Sequence, residues 1–267
     1  MADQAPLAGK VAFITGASRG IGRDVAIALA EAGADIVIAS RSESVTDPRM
    51  PGTIYTVARE VEERGRRSLP VKLDVTRDEE IEAAVEKAMQ TFGHLDILMN
   101  NAAIQVPGST RTVQPRHVDL IYRVDLRAPV MCIRAVLDPM AQSGGGHIVN
   151  ISSRAGVFPG PGPYPPEQAG RMRQPIYAMV KAGLERYSQA LAMELQPEGI
   201  AVNVLSPDGR IRTPGNAFFE NDREKPNLNF ELAVDMGKAM VWLCRQDPRG
   251  YTGHILFDKD VVREHGL

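Results

Sequence analysis

The sequence contains few of the residues that characterise secreted, metal-binding or membrane-spanning proteins. Its 267 residues include two cysteines and five histidines. Cys132 and Cys244 lack the spacing of a disulfide framework or a zinc site, and the histidines are scattered, so we expect reduced thiols and no bound metal. No stretch reaches the roughly 18 consecutive apolar residues of a membrane span, and the N-terminal MADQAPLAGK lacks the apolar core of a signal peptide. These absences predict a cytoplasmic protein that does not insert into membranes.

The chain also lacks an excess of charge of either sign. It has 33 acidic and 31 basic residues. Such a balance gives no global field that would attract nucleic acid or an anionic membrane surface. The apolar fraction of 43% is that of an ordinary globular protein, and the length allows a substantial core.

Short apolar runs alternate with helical periodicity along the whole chain, which predicts a parallel sheet covered by helices on both faces. The predicted strands are Lys10–Thr15, Asp35–Ala39, Leu69–Leu73, Leu95–Met99, His147–Ile151, Ala201–Leu205 and His254–Phe257. The predicted helices are Ile21–Ala32, a segment ending near Arg64, Asp78–Thr91 (capped by Thr76 or Asp78), Pro115–Gln142, Pro175–Leu195 and Phe230–Cys244. No linker or repeat divides the chain. We therefore predict one doubly wound, Rossmann-type α/β domain over residues 1–267, with a mostly parallel seven-stranded sheet.

A glycine-rich turn joins the first predicted strand to the first predicted helix. It reads Thr-Gly-Ala-Ser-Arg-Gly-Ile-Gly over residues 15–22. Gly16 permits the tight turn, while Gly20 and Gly22 allow close approach of the backbone to a pyrophosphate at the helix N-terminus. A purely steric need for glycine is the alternative interpretation. The position between strand and helix favours a dinucleotide, bound by the turn that also contains Ser18, Arg19 and Ile21.

The end of the second predicted strand indicates which dinucleotide is bound. An acidic residue there would bind the ribose 2′-hydroxyl of NAD, but the chain has Ala39-Ser40-Arg41. Arg41 and Arg19 could instead clamp a 2′-phosphate, since guanidinium suits that anion. The sequence favours NADP(H), with NAD(H) and merely solvated arginines left open.

Tyr177 and Lys181 are four residues apart within a strongly helical pattern, so their side chains share one helix face. A phenol titrates near pH 10, about three units from neutrality, and a neighbouring cation stabilises its charged form. Such a pair also arises by chance on helix surfaces. Ser152 and Ser153 strengthen the catalytic interpretation because they follow the fifth predicted strand, at the sheet edge where ligands bind in open parallel sheets.

Six motifs occur in order along nearly the whole chain and resemble the short-chain dehydrogenase/reductase family. They are the glycine turn, Asp74-Val75, Asn100-Asn101-Ala102, Ile148–Ser153, Tyr177-x-x-x-Lys181 and Asn203–Pro207. The stretches 51–56, 69–75 and 251–258 also resemble a branch with hydroxysteroid-dehydrogenase-like proteins and citronellol/citronellal dehydrogenases.

The resemblance implies an NAD(P)-dependent oxidoreductase acting on a small alcohol, ketone or aldehyde, which the branch suggests is hydrophobic. Ser153 would hydrogen-bond the substrate oxygen, Tyr177 would exchange the proton, and Lys181 would bind the nicotinamide ribose. The adenosine contacts would come from Asp74, Val75, Asn101 and Ala102, and the nicotinamide contacts from Ile211 and Thr213. Family habit further implies a homodimer or homotetramer, with the helices 115–142 and 175–195 at one interface.

Asp125 is the first departure from the family pattern, because an asparagine that supports a water chain to the lysine is usual at this position. An ionised aspartate can only accept hydrogen bonds, although it can hold a water or pair with Lys181. We expect a working enzyme with a shifted pH dependence, and include Asp125 among the catalytic candidates.

Two loops also depart from the pattern. Tyr177 follows Ser153 by 24 residues, more than is usual, and the extra residues 158–174 are rich in proline and glycine. We predict that they form a wall of the substrate pocket, through Phe158, Tyr164 and Met172; a surface insertion is the alternative. Asp208 and Gly209 lengthen the loop before Ile211, and residues 208–230 are predicted to form a mobile substrate lid.

Three functions remain open at this point. The first is an NADP(H)-dependent dehydrogenase or reductase of a hydrophobic small molecule. The second is an NAD-dependent enzyme of the same family. The third is a nucleotide-binding regulator or scaffold without turnover, which Asp125 favours and the intact Ser153, Tyr177 and Lys181 oppose. An epimerase or dehydratase using the same tyrosine is a weaker alternative.

Overall fold

The computed structural model describes residues 5–166 and 174–267, and these form one seven-stranded parallel sheet with helices on both faces. The strands are β1 (Val11–Thr15), β2 (Asp35–Ser40), β3 (Ser68–Lys72), β4 (Ile97–Asn100), β5 (Gly146–Ile151), β6 (Ile200–Ser206) and β7 (Ile255–Phe257). Their order across the sheet is β3-β2-β1-β4-β5-β6-β7. The order reverses direction beside β1, and the crevice at such a reversal is the usual ligand site of an open α/β sheet. The predicted Rossmann-type sheet is confirmed.

The inner strands of the sheet are buried because each supplies side chains to both covered faces, whereas the edge strands β3 and β7 are only partly buried. In β1, Phe13 belongs to one hydrophobic cluster and Ile14 to the other. The side-chain alternation of a strand sends neighbours to opposite faces, so a strand covered on both sides must be apolar throughout. This is why short apolar runs in the sequence predicted the strands.

The helices divide between the two faces of the sheet. One cluster contains residues of α1 (Gly20–Glu31), α2 (Ile54–Glu62), α8 (Val234–Leu243) and α9 (Asp258–His265). The other contains residues of α3 (Asp78–Phe92), α5 (Ala128–Gln142) and α6 (Pro175–Leu195). The remaining helices are α4 (Pro115–Tyr122) and the short α7 (Pro214–Ala217).

The predicted helix Pro115–Gln142 is interrupted. A π-helical turn, Arg123–Arg127, separates α4 from α5. Asp125 is fully buried in this turn, and its Oδ1 accepts a hydrogen bond from the backbone N–H of Ile104 at 2.8 Å. π-turns inside helices frequently occur at functional sites.

Two further details differ from the sequence predictions. Neither Thr76 nor Asp78 caps α3; the N-cap residue is Arg77, without a side-chain hydrogen bond, and the Thr76 hydroxyl donates to Asp74 instead. The helices α7 and α9 were not predicted. Other elements begin or end within a few residues of the predicted positions, as expected for element boundaries.

Within residues 5–166 and 174–267, none of the helices has both the length and the apolar character needed to cross a bilayer.

Candidate active site

Most of the predicted site residues follow the carboxyl ends of β1 to β6, and Tyr177 and Lys181 lie on α6. The glycine turn leaves β1, Arg41 follows β2, Asn101 follows β4 and Ser153 follows β5. Because the strands are parallel, these ends meet along one edge of the sheet, where helix N-termini also point.

The glycine turn is packed so closely that side chains do not fit. A Cβ atom on Gly22 would lie 2.5 Å from Nδ2 of Asn101 and 2.6 Å from the carbonyl oxygen of Gly16. A Cβ on Gly16, whose φ is +67°, would lie 2.9 Å from the Cα of Ala102. The turn therefore presents bare backbone at the start of α1, where no side chain of the described residues caps the helix. Such uncapped amides suit a phosphate anion.

Asn101 and Ala102 lie directly against this turn. Nδ2 of Asn101 donates to the carbonyl oxygens of Thr15 at 2.9 Å and Gly16 at 3.2 Å. The backbone N–H groups of Asn101 and Ala102 both donate to the hydroxyl of Thr15 at 3.0 Å. The structure thus brings together the end of β4 and the glycine turn, and Asn101 fixes the shape of the turn.

Arg19 and Arg41 lie near each other beside the end of β2. Burial and the positive charge of Arg41 both lower the pKa of Arg19. Arg19 donates to the carbonyl oxygens of Pro51 and Gly52 at 3.0 and 2.8 Å and to the hydroxyl of Ser42 at 2.9 Å. Arg41 is exposed. Arg19 therefore holds the segment before α2 against the glycine turn, and Arg41 is the guanidinium open to an anion.

Two serine hydroxyls lie next to these arginines in the sequence and contact each other. Oγ of Ser18 lies 3.0 Å from Oγ of Ser40.

Asp74 and Val75 follow β3. Asp74 accepts hydrogen bonds from the backbone and hydroxyl of Thr76, at 3.0 and 2.8 Å. Those bonds and the charge of Arg41 lower the pKa of Asp74 despite partial burial, which raises it. Val75 is buried in the hydrophobic cluster, so only its backbone is available for a ligand contact.

Lys181 is buried beneath the ring of Tyr177. Its Nζ lies 5.6 Å from the centroid of the phenol ring and donates a 2.9 Å hydrogen bond to the carbonyl oxygen of Ile151. Lys181 is 3% exposed, whereas Tyr177 is partly exposed. The strand end thus fixes the ammonium, and the helix places the phenol beside it.

Asp125 contributes a negative charge to the same place. Its Oδ2 lies 3.7 Å from Nζ of Lys181 and has no hydrogen-bond partner within the described ranges. Burial raises the pKa of Asp125 to about 6, although Lys181 and the Ile104 N–H act in the opposite direction. The family's usual asparagine position thus holds a titratable group next to the lysine.

Ser153 follows β5 and is partly exposed. Its hydroxyl accepts a 3.2 Å hydrogen bond from the backbone N–H of Ala155 and so caps the short 3-10 turn Arg154–Gly156. Within residues 5–166 and 174–267 the hydroxyl donates to no acceptor, so its hydrogen is available to a bound molecule. Ser153 comes two residues after Ile151, which binds Lys181.

Ile211 and Thr213 lie in the loop after β6. A Cβ on Gly20 would lie 3.2 Å from the Cβ of Thr213, so this loop faces the glycine turn. Thr213 also caps α7, and Ile211 packs against the hydrophobic cluster that contains α1. Both residues lie next to the predicted dinucleotide position.

The predicted pocket wall is described only in part. Phe158 is 82% exposed and Tyr164 is 49% exposed, with the Tyr164 hydroxyl donating to the carbonyl oxygen of Gly160 at 3.0 Å. Met172 lies outside the described residues. Two large aromatic side chains are thus available in this segment.

The sequence predictions missed two residues that contact the site. Glu185 accepts a 2.6 Å hydrogen bond from Ser152, and its spacing of four from Lys181 could have identified it. Arg49 lies 4.0 Å from the ring centroid of Phe218 and 3.4 Å from the carbonyl oxygen of Asn221, linking the β2–α2 segment to the predicted lid. No sequence signal indicates that long-range contact.

The chain resembles known proteins over most of its length. A sequence model of the short chain dehydrogenase family matches residues 10–224. Human hydroxysteroid dehydrogenase-like protein 2 is 34% identical over 262 residues, which are 98% of this chain and 59% of the relative. The chain thus spans about three fifths of the length of the curated relatives it matches.

Solved structures show the same resemblance. A short chain dehydrogenase from Mycobacterium thermoresistibile is 30% identical with a TM-score of 0.81, covering 98% of this chain and 89% of that one. L-sorbose reductase from Gluconobacter frateurii, solved with NADPH and L-sorbose, is 28% identical with a TM-score of 0.77, covering 95% and 96%. The chain therefore belongs to the short-chain dehydrogenase family, whose members are NAD(P)-using oxidoreductases of small molecules.

Proposed function

We propose that this protein is an NADP(H)-dependent oxidoreductase that interconverts an alcohol and a carbonyl on a hydrophobic small molecule, with Tyr177 as acid and base. The observation that carries the proposal is the position of Lys181, buried with its ammonium 5.6 Å from the Tyr177 ring centroid. The hydrogen bond to Ile151 fixes that ammonium at the strand end from which Ser153 follows. A phenol, an ammonium and a serine hydroxyl thus share one end of the sheet.

The residues at the first turn fit a dinucleotide. Gly16 and Gly22 let the turn pack directly against Asn101 and Ala102, and helix α1 begins without a side-chain cap in the described chain. Backbone amides of Ser18, Gly20 and Ile21 would hold the pyrophosphate, and Asn101, Ala102, Asp74 and Val75 would hold the adenosine half. When bound, the nicotinamide ring supplies or accepts the hydride.

The charges beside β2 favour NADP(H) over NAD(H). No acidic residue stands at the end of β2, and the mutual repulsion of Arg19 and Arg41 would be relieved by an anion between or beside them. Arg41 would contact the 2′-phosphate directly. Arg19 would contribute charge while it holds the backbone of residues 51 and 52. The NADPH complex of L-sorbose reductase supports this preference by analogy.

The side chains of the chain itself would handle the proton and the substrate oxygen. The Ser153 hydroxyl donates a hydrogen bond to that oxygen and so orients the reacting carbon. Tyr177 gives a proton to the oxygen during reduction and takes it during oxidation. Lys181 stabilises the negative charge that develops on the phenol oxygen as the proton leaves. Lys181 also binds the nicotinamide ribose, with Ile211 and Thr213 at the amide.

We further propose that the whole chain acts as one catalytic domain, with residues 158–174 as a pocket wall and 208–230 as the lid. The exposed Phe158 and Tyr164 support an apolar substrate. The lid proposal is supported by Arg212, whose guanidinium donates hydrogen bonds to Glu220 at 3.0 Å and to Asn221 at 3.3 Å and so organises that segment. A cytoplasmic location and a homodimer or homotetramer stay predictions.

A nucleotide-binding regulator without turnover is the second candidate. Buried Asp125 beside Lys181 favours it, because a strong ion pair would hold the lysine away from its catalytic task.

A screen with reduced nicotinamide absorbance separates the candidates. Alcohols would be tested with NADP⁺ and NAD⁺, and ketones and aldehydes with NADPH and NADH. Turnover with a hydrophobic carbonyl or alcohol, faster with the phosphorylated cofactor, supports the proposal. Tight cofactor binding without turnover across the panel would reject it in favour of the regulator.

A further inference from the structure

Glu185 is a carboxyl group inside the protein, one helical turn beyond Lys181 on α6. Glu185 is 8% exposed and Lys181 3% exposed. Residues four apart on a helix share a face, and both side chains bond the end of β5. A buried carboxylate needs donors or a cation to offset its lost hydration, so this placement has a physical cost.

Two hydrogen bonds tie the end of β5 to α6 near Ser153, in addition to the one from Nδ2 of Asn150 to Oγ of Ser188 at 2.8 Å. Nζ of Lys181 donates to the carbonyl oxygen of Ile151 at 2.9 Å, and the hydroxyl of Ser152 donates to Oε1 of Glu185 at 2.6 Å. The next residue is Ser153. The position of the proposed substrate-binding hydroxyl therefore depends on both bonds.

The turn after β5 closes directly over the Glu185 carboxyl group. A Cβ on Gly156 would lie 2.6 Å from Oε1 of Glu185 and 3.2 Å from the carbonyl carbon of Lys181. A side chain at that position would push the Glu185 carboxyl group aside. The carboxyl group is thus enclosed by the strand end, the turn and its own helix.

One buried cation faces two buried carboxyl groups. Oδ2 of Asp125 lies 3.7 Å from Nζ of Lys181, and the charge of Lys181 also acts on Glu185. Burial raises the pKa of both acids, and Lys181 acts in the opposite direction on each. Within the described chain, Lys181 is the charged group acting on Glu185 and Ser152 is its hydrogen-bond donor. The same lysine thus favours the ionised form of both acids, and two negative charges near one cation disfavour each other.

We propose that Glu185 is a positioning residue of the active site, which anchors Ser152 and shares the charge of Lys181 with Asp125. Through Ser152 it sets the place of Ser153, and through Lys181 it sets the charge balance beside Tyr177. The inference rests on the proposed function of these residues. The inference adds to that function a residue that affects the reaction without touching the substrate.

The variant Glu185→Gln tests the inference, because it keeps the shape and an oxygen acceptor for Ser152 but removes the charge. Loss of the anion lets Asp125 ionise at lower pH, so the acid limb of the kcat profile should move down by about one pH unit. The stability of the variant relative to the wild type should also rise with pH as Glu185 ionises in the wild type, because burial raises the folded-state pKa of that carboxyl group. The matched control is Glu194→Gln, at an exposed position of the same helix. It should change neither the pH profile of kcat nor the pH dependence of stability.

Unchanged profiles for both measurements with Glu185→Gln would overturn the inference, and so would a stability loss equal at every pH with no shift in the rate profile. Ser152→Ala, which removes the hydrogen bond and keeps the charge, provides a second test. It should lower kcat several-fold without moving the acid limb to lower pH, and an unchanged kcat would overturn the anchoring role. If the wild type shows no turnover at all, the proposed function fails. The pH dependence of unfolding still decides whether Glu185 shares the charge of Lys181 with Asp125.

Discussion

Nζ of Lys181 lies 3.7 Å from Oδ2 of Asp125, with both side chains buried. The pair joins the π-helical turn to α6 next to the proposed acid–base tyrosine. The charge of an aspartate at position 125 changes with pH, whereas the asparagine that is usual in the family stays neutral. The ionisation of Asp125 should therefore be visible in both the rate and the stability of the protein.

Asp125→Asn should remove an acid limb from the pH–rate profile. In the wild type, lowering the pH through about 6 protonates Asp125 and leaves Lys181 without this partner, so kcat should fall. The variant has no carboxyl group at position 125 to protonate, so the acid limb that Asp125 produces should be absent. Initial rates between about pH 5 and pH 9 measure the effect. An unchanged profile would show that the ionisation of Asp125 has no part in the proton transfer.

The stability of the same variant should change in a defined direction. The folded-state pKa of Asp125 is raised above its ordinary value, so its favourable contribution is present at low pH and is lost as the pH rises through about 6. Asp125→Asn should gain stability relative to the wild type over that range, by up to about 3 kcal/mol. Urea unfolding at a series of pH values measures this difference. A constant difference across pH would contradict the raised pKa.

Arg41→Ala should reduce the preference for NADP(H). A charged hydrogen bond to phosphate contributes about 1.5–3 kcal/mol, so kcat/KM for NADPH should fall roughly 10- to 100-fold. The value for NADH should change little, because NADH lacks the 2′-phosphate. Arg59→Ala, an exposed arginine of α2, serves as control. Equal losses with both cofactors would argue against a phosphate contact.

Gly22→Ala should disrupt the dinucleotide cradle. The added methyl would meet Asn101 and the Gly16 carbonyl at 2.5 and 2.6 Å, so the turn must shift. We expect a loss of about 1–3 kcal/mol in the free energy of unfolding and a marked rise in the Kd for NADPH, measured by fluorescence. In Gly183→Ala the nearest atoms lie at 3.5 Å, which is an ordinary contact, and this mid-helix variant should bind NADPH normally. Normal binding by Gly22→Ala would show that the turn does not hold the cofactor.

Arg49→Leu should loosen the proposed lid. The variant removes the guanidinium stacked on Phe218 and the bond to the Asn221 carbonyl oxygen. Because Arg49 joins the β2–α2 segment to Phe218 and Asn221, KM for the alcohol or ketone should rise by roughly two- to fivefold, with the Kd for NADPH unchanged. Arg64→Leu removes a surface pair with Glu31 far from the lid and is the control. If the two variants behave alike, Arg49 does not position the lid.

Much of the fold could be predicted because a doubly covered sheet leaves a simple pattern. Each of the seven predicted strands overlaps an observed strand, since burial on both faces requires uninterrupted apolar runs. The turn at Gly16, Gly20 and Gly22 could be located from its position between β1 and α1. These features depend on local sequence and on the covering of the sheet.

Other features depend on contacts between distant segments and could not be predicted from periodicity. The π-helical turn around Asp125 accompanies a hydrogen bond to Ile104, and helix periodicity continues across it. Arg49 reaches a loop far along the chain. The Thr213–Asn216 capping box of α7, in contrast, has a local signal in the sequence, a threonine before a proline.

The site could be predicted in outline but not in its charges. The positions of Ser153, Tyr177 and Lys181 at one sheet edge follow from strand ends and helix spacing. The direct bond of Lys181 to Ile151 and the buried acids around it depend on how α6 packs against β5 and the π-turn. Spacing shows which residues share a helix face, but not which atoms meet across elements.

Turnover by Tyr177→Phe, compared with the wild type, tests the central claim most directly. The substitution removes only the phenol oxygen, so Kd for NADPH and the unfolding midpoint should be unchanged while kcat falls about 10²- to 10⁴-fold. Tyr187→Phe, on the same helix, should retain full activity. Absorbance of the reduced nicotinamide, followed with the best alcohol or ketone of the panel, gives both rates. Undiminished turnover in Tyr177→Phe would contradict the assignment of Tyr177 as the acid and base.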